Sequence, residues 1–238
     1  MRTRGGWTGR LAAVVLLAAA VWIGVEIWRW PAIGRLAVER PATTAFIEQY
    51  RARQRAAGRP DRVAWRWTPY GAISPALKRA VLVAEDVNFF SHRGFAFDEM
   101  QGALEDALRD RELPRGASTI TQQLAKNLWL SKSRNPLRKA KEALLTWQLE
   151  HTLSKRRILE LYLNVAEFGP GVYGVGAASQ RYFGKPAADL DESEAAQLAA
   201  ALPMPSVWHP GVGSAAYRRH VAAIERRMGR AAFLWKQI

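Results

Sequence analysis

Cysteine is absent from all 238 residues. That excludes a disulfide scaffold, a cysteine-based zinc site and a cysteine nucleophile, and it fits an oxidising compartment. Histidine occurs only four times, and its positions are too scattered to read as a metal triad. Acids are in deficit: 21 Asp and Glu face 35 Lys and Arg, a formal net charge of +14. Such an excess calls for an anionic partner, whether nucleic acid, an acidic membrane face or phosphate groups on a substrate. Internal repeats are lacking. Strand-like alternation is scarce, with one weak instance at Val63–Trp67. Full disorder is excluded by a hydrophobic fraction of 49% and by 10 Trp, 6 Tyr and 8 Phe.

Long apolar runs are missing with one exception. Leu11–Val25 reads LAAVVLLAAAVWIGV without a charge and continues past Glu26 to Ile33, close to the ~20 residues that span a bilayer core. Arg2, Arg4 and Arg10 precede it with no acid, which keeps the N-terminus cytoplasmic by the positive-inside rule. Trp22, Trp28 and Trp30 stand toward the far end, where interfacial aromatics are expected. A cleaved signal peptide is the rival reading, but Val21-Trp22-Ile23-Gly24 is too bulky for a good cleavage site. The expectation is a cytoplasmic N-terminus at 1–10, a single transmembrane anchor at 11–33, a linker at 34–61 and a folded domain at 62–238, with the polar, Arg-rich Pro41–Asp61 reading as a linker or as a helix leading off the membrane. Up to Arg40 the chain holds 6 of the bases and 2 of the acids, so the domain is basic in its own right, with 29 bases against 19 acids.

Beyond the linker the pattern is mainly α. Ser74-Pro75 places an N-cap before a proline at the first helical position, opening a helix to about Asp86. Asp98 with Gln101 resembles a capping box. Ser118 is expected to cap a helix to about Leu130, Asn135 one to about Leu153, and Ser154 one to about Val165. Asp191 with Glu194 opens a helix that Pro203 stops.

At 100° per residue, Thr119, Gln123 and Lys126 fall within about 60° of one another. A solvated amphipathic face is the plain reading, and a polar site face is the functional one. Arg138, Lys141 and Glu142 group similarly on the next helix, opposite Ala140, Ala143, Leu144 and Trp147. Glu85 and Asp86 follow the apolar run Ala80–Ala84. A carboxylate among apolar neighbours tends toward a raised pKa, which suits acid–base work, whereas a helix end emerging into solvent needs no function. His92 stands evenly between a site and a turn. The glycines of Gly169–Gly176 follow a helix and not a strand, so they read as tight turns and not as a dinucleotide fingerprint.

Five ordered blocks resemble the peptidoglycan glycosyltransferases of glycosyltransferase family 51, most closely its stand-alone, monofunctional form. They are Ala84–Gly94 (AEDVNFFSHRG), Arg115–Leu128 (RGASTITQQLAKNL), Arg138–Glu142 (RKAKE), Lys155–Asn164 running on to Arg181–Lys185 (RYFGK), and Glu194–Ala199 with Pro203. One departure stands out. The first block usually continues with Asp two residues after its glycine, where this chain has Ala96; Asp98 follows.

The resemblance implies a lysozyme-like helical lobe, a smaller jaw lobe against the bilayer and one transmembrane helix. Phe89–Phe97 and Trp129-Leu130 are candidates for the jaw's apolar contacts, with plain core as the other reading. The implied reaction polymerises lipid II into glycan strands by inverting glycosyl transfer and releases undecaprenyl pyrophosphate. By matched position Glu85 is the general base and Glu142 the second acid. Lys126 and Arg134 face the leaving pyrophosphate, with Arg138 and Lys141 outside them. Ser118, Thr119 and Gln123 line the donor groove. Asp86, Phe89 and His92 shape the site and hold Glu85. No cofactor is required, although a divalent cation, Mg or Mn, is compatible with the acids. The implied location is the inner (plasma) membrane with a periplasmic catalytic domain. The implied partners are lipid II, the growing glycan strand and the membrane, with division or elongation proteins as further candidates. Nucleic acid is disfavoured, since the domain would face away from it.

Three rivals are weaker. A muramidase or lytic transglycosylase would also use a glutamate in a cleft, but cutting a neutral sugar linkage needs no cationic cradle. A bifunctional penicillin-binding protein carries a Ser-x-x-Lys nucleophile, and no serine here has lysine three residues on. An inactive lipid II-binding scaffold is the alternative function, disfavoured because both glutamates and the main cations are present.

Overall fold

Four of the expected caps form as local chemistry dictates. The side chains of Ser74, Asn135, Ser154 and Asp191 accept from backbone N–H groups in the first turns of their helices. In the computed structural model the described residues are 5–96, 118–131, 133 and 135–238, without the side chains of 5–9, 19, 22, 23 and 27. The helices among them are α1 Gly5–Trp28, α2 Ala45–Ala56, α3 Pro75–Glu85, α4 Ile120–Trp129, α5 Pro136–Thr152, α6 Lys155–Val165, α7 Val175–Phe183, α8 Glu192–Ala201 and α9 Ala215–Arg230. The Asp98–Gln101 capping box lies outside the described residues.

One cap sits a residue later than expected. Thr119, not Ser118, opens α4: its Oγ1 accepts from Gln122 N, while Gln122 Oε1 accepts from Thr119 N. The signal was local. Thr-x-x-Gln satisfies the capping-box pattern at Thr119, whereas Ser118 has Thr121 at the third position.

Helix α3 is buried on every side from Ala76 to Val83, so it forms the axis of the core. It packs on α8 and α9, while α4 packs on α5 and α6. The two cations of α3 leave the core through specific partners. Lys78 Nζ donates to Tyr70 O, and Arg79 pairs with Glu192 and lies over the Trp235 ring.

The weak strand signal at Val63–Trp67 becomes β1, Ala64–Trp65, in a small sheet ordered β1-β3-β2. There β3 (Val172–Tyr173) runs parallel to β1 and antiparallel to β2 (Glu167–Gly169). Two of the glycines, Gly171 and Gly174, serve the tight turns expected of them, while Gly169 ends β2 and Gly176 lies in α7. Gly174 has φ +75, and a Cβ there would stand 2.6 Å from Asn164 O. Asn164 secures the strand from α6, donating to Thr68 O (2.8 Å) and accepting from Thr68 N (2.6 Å).

Of the two readings of Pro41–Asp61, the helix is the one that forms, as α2, and it docks on the domain. Ile33 and Leu36 are buried in the main core, and α2 inserts Phe46 and Ile47 against Tyr173. Its periodicity was hidden because only the first turn of α2 carries buried apolar residues. Arg157 reaches back to Leu36 O and Glu39 O at 2.7 and 2.6 Å.

Helix α1 covers the apolar N-terminal run, and Leu11, Val14, Leu16, Leu17 and Val21 are exposed on it. Among the described residues no helix is long and apolar enough to cross a membrane.

Candidate active site

The site begins where α3 ends. Glu85 is the last residue of α3, and its Oε2 accepts from Gln123 Nε2 at 2.7 Å. Gln123 is oriented in turn by the fully buried Tyr162, whose hydroxyl donates to Gln123 Oε1 at 2.9 Å. This chain fixes the amide so that its donor end faces the carboxylate. Burial pushes the Glu85 carboxyl above its ordinary value, with the neighbouring Asp86 charge adding; the Gln123 bond and the Lys126 charge oppose the shift. Burial also pushes Tyr162 upward, and the Glu85 and Asp86 charges reinforce it.

Asp86 ties three segments together. Its Oδ2 accepts from Ile120 N at 2.9 Å, and its Oδ1 meets His92 Nε2 at 2.8 Å. His92 Nδ1 accepts from Gly94 N at 3.1 Å, so Nε2 carries the hydrogen that goes to Asp86. Gly94 O then accepts from Thr119 Oγ1 at 2.7 Å. The end of α3, the turn after it and the start of α4 are therefore one hydrogen-bonded unit.

A second pole is cationic. Glu142 is buried, and its two oxygens pair with Arg138 (2.6 Å) and Lys139. Burial pulls the Lys126 ammonium below its usual range, while Glu142 draws it back up. Three cations thus surround one carboxylate, a net positive field in a partly desolvated place. Gln123 and Lys126 lie one turn apart on α4 and line a cavity of about 240 Å³ with Asn127, Tyr162, Phe46 and Leu202. They bridge the Glu85 pole and the cationic pole. A carboxylate held as a proton acceptor at one end and fixed cations at the other can support transfer from an anionic leaving group to a hydroxyl.

Several residues singled out from sequence occupy other places. Lys141 points away from Glu142 and pairs with Glu26 of α1 at 2.5 Å. Lys139 takes the position expected of it: three residues before Glu142 it stands about 60° from that side chain, whereas Lys141 stands about 100° away. Thr119 shares the α4 face only nominally: its hydroxyl is committed to the cap and to Gly94 O, so it builds the groove without lining it. Asp86 and Phe89 are buried and act through their neighbours. Ser118 is exposed at the entrance to α4, its carbonyl 3.4 Å from Gln123 Nε2. Arg134 lies outside the described residues.

The apolar-jaw expectation is also revised. Phe89 and Leu130 belong to the main core, Trp129 is half-buried, and Phe97 lies outside the described residues. Ala96 is buried.

The roles of Tyr162 and Lys139 were not assigned from sequence, though both stand inside the matched blocks. A Thr121–Glu150–Lys155 network was missed too. It places the Lys155 ammonium 4.3 Å from the Phe89 ring centre and so backs the first block. Among the described residues, no group of three or more acids and histidines could hold a metal ion. The donor chemistry agrees: both Glu142 oxygens are already paired with cations.

The Transglycosylase family pattern matches residues 53–229. Three similar proteins carry the name biosynthetic peptidoglycan transglycosylase. That of Thiobacillus denitrificans is 44% identical over 96% of this chain and 97% of its own. That of Laribacter hongkongensis is 41% identical over 93% and 96%. That of Azoarcus sp. is 41% identical over 100% and 99%.

Proposed function

From the premise that this chain belongs to the Transglycosylase family and is a peptidoglycan glycosyltransferase of cell-wall synthesis, we propose how its residues divide the reaction. The substrates are lipid II and the growing glycan strand. Glu85 accepts the proton of the acceptor's GlcNAc 4-hydroxyl. The freed oxygen attacks the anomeric carbon of the donor's terminal MurNAc from the face opposite the leaving group. The new glycosidic bond forms, the carbon–phosphate oxygen bond breaks, and undecaprenyl pyrophosphate departs with the electron pair. The configuration inverts.

The single observation that carries this reading is the Tyr162–Gln123–Glu85 chain beside Lys126. A raised carboxyl is a stronger base than an ordinary one once ionised, and Gln123 presents it in one orientation. Lys126, Arg138 and Lys139 meet charge that grows on the departing pyrophosphate, an interaction stronger in the transition state than in the ground state. Arg134 joins them by its matched position. Glu142 keeps Arg138 and Lys139 in place and acts as a positioning residue. Both Glu142 oxygens are already paired with cations, and no step is routed through a metal ion.

The helical core built on α3, α4, α6 and α8 serves as the lysozyme-like lobe. The apolar run of α1, with its exposed leucines and valines, serves as a single membrane anchor, because such a surface needs a nonaqueous neighbour. The catalytic domain then works outside the cytoplasm at the inner membrane, with the catalytic unit from about 62 onward and the docked segment 34–61 joining it to the anchor. Division or elongation proteins are the natural class of protein partner.

The test is polymerisation of fluorescent lipid II by purified wild type beside Glu85→Gln, products resolved on a gel. A glycan ladder from wild type alone is expected. A ladder of similar intensity from Glu85→Gln removes Glu85 as the base. No ladder from folded wild type moves the function to a lipid II-binding scaffold.

A further inference from the structure

The last helix carries charge that the reaction does not use. Between Ser214 and Ile238 stand six cations, Arg218, Arg219, Arg226, Arg227, Arg230 and Lys236, against one acid, Glu225. Helix α9 buries Tyr217, Ile224 and Met228 and packs on α8 and α3. At 100° per residue, Arg219, Arg226 and Arg230 fall within about 40° of one another, on the side opposite those buried residues. All three are exposed, and they are spaced by alanine and glycine on that side.

This stripe differs from an ordinary solvated face. A helix surface is usually balanced by acids three or four residues from its bases. Around Arg219 those positions are all alanine, and around Arg226 they are Ala222, Ala223, Gly229 and Arg230. Glu225 faces another way and accepts from Ser193 Oγ at 3.0 Å. Among the described residues, no ion pair engages Arg219, Arg226 or Arg230. The helix dipole accounts for Arg227 and Arg230 in the last turn, but it does not reach Arg219 in the N-terminal half.

Two rings follow the arginines. In the turn Ala232–Lys236 the buried Leu234 pins the chain to the core, and Phe233 and Trp235 stay 52% and 44% exposed. Arg79 lies 4.2 Å from the Trp235 ring centre and holds that ring in place as a platform.

The chemistry of the patch selects its occupant. A protein partner calls for bulky anchors at the centre of the patch, where this one has alanine and glycine. The arm from α1 docks on α5, whereas the stripe belongs to the layer of α3, α8 and α9, so a ligand in the aqueous space fits better than the bilayer that receives the anchor. Guanidinium forks repeated over about 16 Å of helix match carboxylates repeated along a chain. Exposed ring faces match the C–H faces of sugars. The polymer that a peptidoglycan glycosyltransferase makes has both features, a sugar backbone and peptide stems that end in carboxylates.

We propose that the outer face of α9, with Phe233 and Trp235, is an exosite for assembled, peptide-bearing glycan. It holds the wall polymer outside the catalytic cleft, by stem carboxylates and sugar faces, and keeps the enzyme beside the material it extends. The exosite is separate from the division of the reaction among Glu85, Lys126 and their neighbours, and it stands whichever residues carry that chemistry.

The test is co-sedimentation of the full-length protein, in detergent, with purified protein-free peptidoglycan sacculi. Two variants are compared with wild type: Arg219→Gln, Arg226→Gln and Arg230→Gln combined, and Arg226→Glu alone. The triple variant is expected to bind about tenfold or more weakly and Arg226→Glu at least threefold, while both polymerise lipid II within about twofold of wild type. Wild-type binding should fall as salt is raised, and should be lost on sacculi whose carboxylates have been capped with ethanolamine. Thermal melting identifies a variant that has lost its fold, in which case the other decides. Folded variants that bind within about twofold of wild type overturn the proposal, as does equal binding to capped and native sacculi. A wild type that stays in the supernatant with sacculi but is retained by immobilised polyglutamate also overturns it, and assigns the stripe to an acidic protein.

Discussion

Asp86→Ala tests whether the first block works by touching substrate or by holding α4 in place. Ile120 is the first residue of α4, so its N–H has no carbonyl partner within the helix. Asp86 supplies one from 34 residues away, in a place where water does not reach. Removing the carboxylate leaves a buried donor unsatisfied, at about 1–3 kcal/mol. It also removes a negative charge from a helix N-terminus, worth about 1–2 kcal/mol when partly buried. His92 loses its acceptor in the same step. One contribution opposes these: the Asp86 charge raises the Glu85 pKa, so its loss eases ionisation of Glu85. The net expectation is a loss of about 3 kcal/mol, against a total of about 5–15 kcal/mol for a domain. In a domain of this size that lowers Tm by roughly 6–12 °C. Asp86→Asn keeps one acceptor and should cost less than half as much. The assay is thermal unfolding of the detergent-solubilised full chain, with polymerisation measured at a temperature where every variant stays folded. A fall of under about 2 °C for Asp86→Ala, or an Asn variant no better than Ala, would refute the positioning argument.

Four further outcomes are expected. Lys126→Ala should lower kcat by about 10²-fold or more, as for other preorganised charge contacts; a loss below threefold in a lipid II assay removes Lys126 from the leaving-group site. The pH profile of kcat/KM should rise as Glu85 loses its proton, with a midpoint above the ordinary carboxylate value because burial raises it, and should fall on the alkaline side below the usual lysine range because burial lowers Lys126. A rising limb at or below 4.5, the ordinary glutamate value, contradicts the burial argument. The linkage sign follows: a raised folded-state pKa means that the ionised Glu85 costs stability above its unfolded-state pKa, so Glu85→Gln should melt higher than wild type at neutral pH. Gly94→Ala should destabilise by about 2 kcal/mol, because φ is +88 and the new Cβ would meet Thr146 Cγ2 at 2.8 Å and Glu150 Cγ at 2.9 Å; an unchanged melting temperature would show that the turn relaxes freely.

The sequence by itself determined whatever rests on near neighbours. Ser74, Asn135, Ser154 and Asp191 cap helices through N–H groups two or three residues on, and the mainly α class follows from those starts and stops. The order of the five blocks determined the family, since agreement over so many fixed spacings does not arise by chance. The reach of Gln123 and Lys126 from one face of α4 was legible in their spacing alone. Tertiary structure decided which partner each side chain takes. Asp86 meets Ile120, Tyr162 meets Gln123, and Arg157 meets Leu36 across separations of 34, 39 and 121 residues, and no local period records such pairings. The sequence grouping set Lys141 beside Arg138 and Glu142 and passed over Lys139. The fold gives Lys139 to Glu142 and Lys141 to Glu26, because the arm from α1 returns against only one side of α5. Burial made the final distinction. Of two adjacent carboxylates, Asp86 takes a backbone N–H and a histidine as partners, while burial raises the pKa of Glu85.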